Sequence, residues 1–340
     1  PASLVSISQE NENAHSAGFP FSRLDMIYSK PHATLKEQVQ RLRERGLIID
    51  DEQRAEHFLS IAGYYRISSY CYRFEFPPVD GKRTHQFKEG TRFDDIIRVY
   101  VFDQKLRTLM MEALERFEVA ARTVWAHAMS ETYGPHPHME VDPFTDRDEY
   151  FESFVNLMKE TKRSQRNSEE ISHYLNHYET PFLPPIWIII SVMSFGELFR
   201  WIKNTKSTRV KLKVAKAVGL PNIQVLEGTA RALTTVRNLC AHHGRLWDRR
   251  FSTKLPYINK NLQVPLKATV DVSGGNEADP RMFNYIVVLA HLMLFLNHSS
   301  TWPFRVASLV KDTLNKEEQS IMGFPEDWEN NSFWLTNSGH

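Results

Sequence analysis

The chain has 340 residues, a formal net charge of +1, 41% hydrophobic and 24% charged residues, and 2 cysteines. These proportions are ordinary for a globular protein and exclude a disordered chain, a collagen or a coiled-coil rod. Cys71 and Cys240 are too few for a disulfide scaffold and suit a reducing, cytoplasmic compartment.

Residues 1–24 read as a disordered leader, and residues 1–13 carry no basic segment followed by an apolar run, so no signal peptide is expected. Thr34 and Glu37 form a capping box, followed by Leu35, Val39 and Leu42 at helical spacing and by Gly46 as a stop. Asp50 with Gln53 offers a second start, and 64–76 is expected to continue as an aromatic-rich helix. Pro77, Pro78 and Gly81 mark a loop. Asp94 and Asp95 open a long helix in which Ile96, Tyr100, Leu106, Leu109, Leu114, Phe117, Ala121 and Trp125 recur at threes and fours, up to Gly134. Two helices follow over 146–162 and 167–178, and then Pro181, Pro184 and Pro185 break the chain. The spacing predicts one buried helix over 186–201, a short amphipathic helix over 210–218, and another over 222–243 stopped by Gly244. Residues 265–280 read as a loop or irregular strand, 281–297 and 303–315 as helices, and 321–340 as a tail. The apolar stretches 186–195 and 285–296 are shorter than the roughly 20 residues that cross a bilayer. No period of 20–50 residues repeats. The fold class is all-α, as one helical domain over 25–320 with an N-terminal subregion at 30–80 and a core at 92–300.

The net charge of +1 conceals an asymmetry. Residues 201–260 hold 13 Lys and Arg against 2 Asp and Glu, a surplus of 11, which leaves −10 on the rest of the chain. A basic block is the electrostatic footprint of a phosphate partner, although a solvated helix face would account for it too.

Inside that block lies Arg237-Asn238-Leu239-Cys240-Ala241-His242-His243-Gly244-Arg245-Leu246-Trp247. Cleavage of an RNA phosphodiester needs a base for the 2′-OH, an acid for the leaving 5′-oxygen and a cation for the crowded phosphate. An Arg and a His supply these roles without a metal. On an ideal helix Asn238 and His242 share a face, whereas Arg237 and His242 stand about 140° apart. One helix therefore does not bring Arg237 and His242 together, and a composite site between two copies would. The bland alternative is a buried helix end with satisfied histidines. Cys240, His242 and His243 are potential zinc ligands, but Cys-x-x-Cys and His-x3-His spacings do not accompany them, so no metal or other cofactor is expected. Glu118 and Arg122 are either an exposed i, i+4 ion pair or substrate contacts. Tyr64, Tyr65 and Tyr70 could stack on bases, although such a cluster is more often core.

The motif resembles that of the Abi-like (abortive infection) proteins of the AbiD/AbiF type, placed in the HEPN superfamily, whose mark is Arg-x4-6-His. Other segments agree: Gln38–Leu42, Arg45–Asp50, Gly63–Tyr70, Phe102–Arg107, Glu115–Glu118 with Arg122, Pro185–Trp187 and Ser194–Leu198. The resemblance covers roughly 27–260. It implies a HEPN-type helical bundle core with an added N-terminal helical region, and metal-independent endoribonuclease activity in anti-phage defence or toxin-like shutdown. It implies Arg237 and His242 as the catalytic pair across a homodimer, with Asn238 as the polar motif residue. His243, Arg245, Trp247, Arg231, Glu118 and Arg122 would be substrate contacts. RNA is the implied partner, with an antitoxin protein or small regulatory RNA as restraint, and no membrane. The competing reading is a non-catalytic RNA-binding protein that scaffolds or senses a regulatory RNA; a third is an interaction toxin or sensor acting through the acidic N-terminal half.

Overall fold

The Thr34 hydroxyl accepts from the Glu37 backbone N–H at 3.3 Å, and the Glu37 carboxylate accepts from the Thr34 N–H at 2.6 Å. This reciprocal cap opens α1 (Leu35–Glu44), which buries Val39 and Leu42. The computed structural model describes residues 31–258, 262, 264–270 and 274–335, so the expected disordered leader lies outside the described residues. Asp51, rather than Asp50, caps α2 (Glu52–Ala62), and Asp50 pairs with Arg92 instead. Gly63, with φ 81°, turns the chain into α3 (Tyr64–Cys71), which ends in a 3₁₀ turn at Tyr72–Phe74 instead of running on to 76.

The axis of the molecule is α4 (Phe93–Tyr133), 41 residues and about 60 Å long at 1.5 Å per residue. Ile96, Phe102, Leu106, Met110, Phe117 and Trp125 on it are wholly buried. Against or around it lie α5 (Arg147–Ser164), α6 (Glu169–His177), α7 (Ile186–Ile189), α8 (Phe195–Asn204), α9 (Thr208–Ala217) and α10 (Ile223–Ala241). The expected single helix over 186–201 is two helices joined by a 3₁₀ turn at Ile190–Val192. Ser194 accepts from the Glu197 N–H at 3.2 Å, so a local Ser-x-x-Glu cap restarts the helix inside an apolar run.

The irregular 265–280 segment holds a hairpin of β1 (Ala268–Val270) and β2 (Asn276–Ala278), antiparallel, with Thr269 opposite Glu277. Next come α11 (Met282–Leu296), buried on nearly all sides, and α12 (Trp302–Thr313), which both pack on α4. Residues 321–335, read as a tail, complete α13 (Lys316–Ile321) and form α14 (Ser332–Leu335), and they bury Met322, Phe324, Trp328 and Trp334. These apolar side chains are too spread out for periodicity to reveal them. The fold is all-α as expected. Among the described residues no helix is long and apolar enough to cross a membrane.

One buried carboxylate joins three separate stretches of chain. Asp103 on α4 has no exposed surface, and it accepts from the Tyr70 hydroxyl of α3 (2.6 Å), from Arg107 one turn along, and from the backbone N–H groups of Leu246 and Trp247 (3.1 and 2.7 Å). Burial pushes its pKa upward, against donors that favour the ionised form. Arg107 also donates to the Gly244 carbonyl (3.3 Å). Removing one partner of such a network leaves the others buried and unmatched. Asp103→Ala is therefore expected to lower the unfolding free energy by about 3–5 kcal/mol. Equilibrium denaturant unfolding measures the loss, and a change below about 1 kcal/mol would show that the network contributes little.

Candidate functional site at the C-terminal end of α10

Asn222 caps α10 by accepting from the Val225 N–H at 2.8 Å, and the helix buries Leu226, Leu233, Val236 and Cys240. Sequence reasoning assigns the stop to Gly244, but the left-handed residue is His243, with φ 56°. The His243 N–H donates to the Cys240 carbonyl (3.1 Å) and the Gly244 N–H to the Leu239 carbonyl (2.7 Å). These are the two bonds of a Schellman cap, with a histidine where glycine is usual. A Cβ at Gly244 would lie 2.8 Å from Leu239 Cδ2 and 3.3 Å from the Leu239 carbonyl oxygen, so a side chain there would make Leu239 shift.

A non-glycine residue in this conformation costs roughly 1–2 kcal/mol, and neighbouring side chains hold it in place. Arg66 donates to the His243 carbonyl (2.8 Å), and Arg245 donates to the Ser69 carbonyl (2.8 Å). Arg73 grips Asp248 with two bonds, at 2.7 and 2.6 Å. Asp103 and Arg107 complete the clamp. The sequence strings 63–70, 102–107 and 243–248 are thus one structural unit.

The motif side chains divide into two groups. Arg245 and Trp247, read as substrate contacts, are fasteners. Trp247 is fully buried and stacked on Phe74 (6.3 Å between centroids), and Arg245 is part-buried over the Tyr70 ring. A buried ring offers no face to a substrate. Asn238 and His242, in contrast, are exposed, and among the described residues their side chains take no hydrogen-bond partner. Arg237 is half-buried, and its Nε is buried without a hydrogen-bond partner.

The Glu118–Arg122 pair is not the exposed one of the first alternative. It is part-buried, and Arg122 also donates to the Met193 carbonyl just before α8. Burial pushes the Glu118 carboxyl above its usual range, while the charges of Arg122 and then Arg237 pull it down. Arg237 thus faces a Glu118–Arg122 pair at the α4–α8–α10 junction. His243 lines a separate cleft of about 690 Å³ with Arg66, Gln104 and Arg107. Arg231 is exposed on the same helix, beside a groove against α8.

Of the aromatic cluster, Tyr70 is core, Tyr64 accepts from Arg45 (2.9 Å), and Tyr65 is 75% exposed. Cys240 is buried and its thiol is pushed up to about 12, which suits neither a thiolate ligand nor a nucleophile. Among the described residues no group of three or more His, Cys, Asp or Glu is placed to hold a metal ion. Part of the basic block is spent internally: Lys211 pairs with Glu227, Lys213 with Glu131, and Lys254 with Glu277. Lys203, Lys206, Lys216, Arg231 and Arg250 make no ion pair among the described residues. Sequence reasoning missed Asp103, Arg66 and Arg107 as supports; the i, i+4 spacing of Asp103 and Arg107 was the available signal.

A family model described as Abi-like protein matches residues 57–248, from α2 to the aspartate gripped by Arg73. No curated protein and no solved structure matches the chain.

The strain at His243 makes a measurable prediction. His243→Gly removes the left-handed penalty, whereas His243→Ala removes the same imidazole and keeps it. The glycine variant is expected to be more stable than the alanine variant by about 1 kcal/mol, read from paired denaturant curves. Equal stabilities would mean that the turn has relaxed out of the left-handed region.

Proposed function

The chain belongs to the Abi-like protein family, whose membership supports a role in abortive infection, and from that premise we propose that it is a metal-independent endoribonuclease of HEPN type. The observation that supports this reading is a division of labour around one turn. The backbone of 243–247 is clamped by Arg66, Asp103 and Arg107, and the Asp248 carboxylate by Arg73, while the side chains of Asn238 and His242 stand exposed and unpartnered. A rigid platform carrying free polar groups is what a preorganised site requires.

In this reading Arg237 neutralises the crowded phosphate, and the Glu118–Arg122 pair beside it sets its position. His242 accepts the proton of the 2′-OH, whose oxygen attacks phosphorus. The P–O5′ bond breaks, and the 5′-oxygen leaves with a proton from the same residue of a second copy. The products are a 2′,3′-cyclic phosphate and a 5′-hydroxyl. The second copy enters because Arg237 and His242 lie about 140° apart on one helix, so each chain presents half of the site. Asn238, on the His242 face, is placed to hydrogen-bond substrate. A homodimer acting on RNA, under the restraint of an antitoxin protein or small RNA, is the assembly this chemistry calls for.

The test is incubation of purified protein with unstructured RNA in EDTA. Wild type is expected to cut and to leave cyclic phosphate ends. Arg237→Ala and His242→Ala are each expected to lower the rate by about 10²–10⁴-fold with melting temperatures unchanged. Variants that cut like wild type would end the proposal, and RNA binding without cleavage would favour the non-catalytic RNA-binding protein.

A further inference from the structure

Two helices flank an open groove of about 680 Å³ that the proposed chemistry leaves unused. α8 and α10 run antiparallel along it. The Gly196 end of α8 lies at Thr234 (3.4 Å from a Cβ built on Gly196), and Lys203 at the other end shares the groove with Gln224 and Glu227. Lys203 and Arg231 supply positive charge, with Arg200 beside them held by Glu152 at 4.0 Å, and Thr234 and Thr235 supply hydroxyls. Two carboxylates also line it, but Glu227 is held by Lys211 (3.4 Å), which leaves Glu149 as the opposing charge. Gly196 and Gly228 add no side chain to the walls.

The groove is aligned with the motif. The positions Arg231, Thr235 and Asn238 on α10 and His242 at its C-cap follow at spacings of four, three and four, which places them along one side of the helix. From Arg231 to His242 this stripe runs about 16 Å at 1.5 Å per residue, enough for a few nucleotides. Two of the unpaired cations of the basic window lie in the groove, while Lys206 and Arg209, also unpaired among the described residues, do not line it. Lys203 and Arg231 belong to the basic window, make no internal ion pair, and both line this groove. Lys216 and Arg250 are equally unpaired and do not line it.

We propose that the α8–α10 groove is the track for single-stranded RNA on one side of the scissile phosphate, with Lys203 and Arg231 on its phosphates. This rests on the ribonuclease reading and adds to it the substrate class: an extended strand, since a groove between two adjacent helices admits one backbone and a paired A-form helix is recognised across a broad surface.

The experiment measures binding apart from cleavage. Full-length His242→Ala protein is titrated against a fluorescent single-stranded RNA across a salt series, by anisotropy. Adding Lys203→Gln and Arg231→Gln is expected to weaken binding about tenfold near physiological salt. It is also expected to reduce the slope of log K against log salt by about 1.4, the value for two lost phosphate contacts on a single strand. Adding Lys216→Gln and Arg250→Gln instead removes the same charge elsewhere and is expected to leave both quantities near those of the parent. Equal losses in the two pairs would overturn the proposal, as would equal affinity for duplex RNA. A change in oligomeric state on light scattering in the Lys203/Arg231 variant would also overturn it, because the groove would then belong to a second copy. Groove-dependent binding by a wild-type protein that fails to cut would sustain the track and remove the nuclease reading.

Discussion

The Asp103 carboxylate is the constraint on which the candidate site depends. It is wholly buried, so it must find donors inside the protein, and it takes them from α3, from its own helix and from the backbone after α10. A buried charge tolerates little misplacement, because each unmade bond leaves a desolvated group without compensation. The chain after α10 is thereby held at Leu246 and Trp247, and the turn between those residues and the helix has little freedom left. The left-handed His243 is a consequence: four residues must bring the chain from the end of α10 to the Asp103 anchor, and the Schellman turn does so.

This arrangement separates support from chemistry within a few residues. Arg66, Arg73, Arg107 and Arg245 all bond to backbone carbonyls or to Asp248, and their charge is committed to holding the fold. Arg237 stands apart. It faces a carboxylate already paired with Arg122, and its Nε is left without a hydrogen-bond partner. A second basic residue beside one shared carboxylate keeps an excess of positive charge at the α4–α8–α10 junction, where an anion would be welcome.

The charge of the molecule gains a different meaning in three dimensions. A surplus of 11 over residues 201–260 looks like one basic surface, yet several of its members are neutralised by acids from distant parts of the chain, such as Glu131 and Glu277. What is left free is a smaller set, and two of its members, Lys203 and Arg231, face the same groove. Counting charges along the chain shows where cations are concentrated; only pairing partners show which of them are available.

The helices were legible because their signals are local: the Thr34–Glu37 box, the Asn222 cap and the apolar spacing of α4 involve residues within a turn or along one face. The break at Ser194 was legible in the same terms, but the apolar run around it masked the cap. The motif Arg237–His242 was also local, and so was the 140° that separates the two side chains on one helix. By itself, then, the sequence determined an all-α chain, a family and a candidate pair that one ideal helix does not bring together. The tertiary structure decided which motif residues are supports and which are free. Trp247 and Arg245 look like their neighbours in sequence and differ only in what surrounds them. Burial and hydrogen bonding of that kind are set by segments more than 100 residues away, Asp103 and Ser69 among them, which no spacing within the motif encodes.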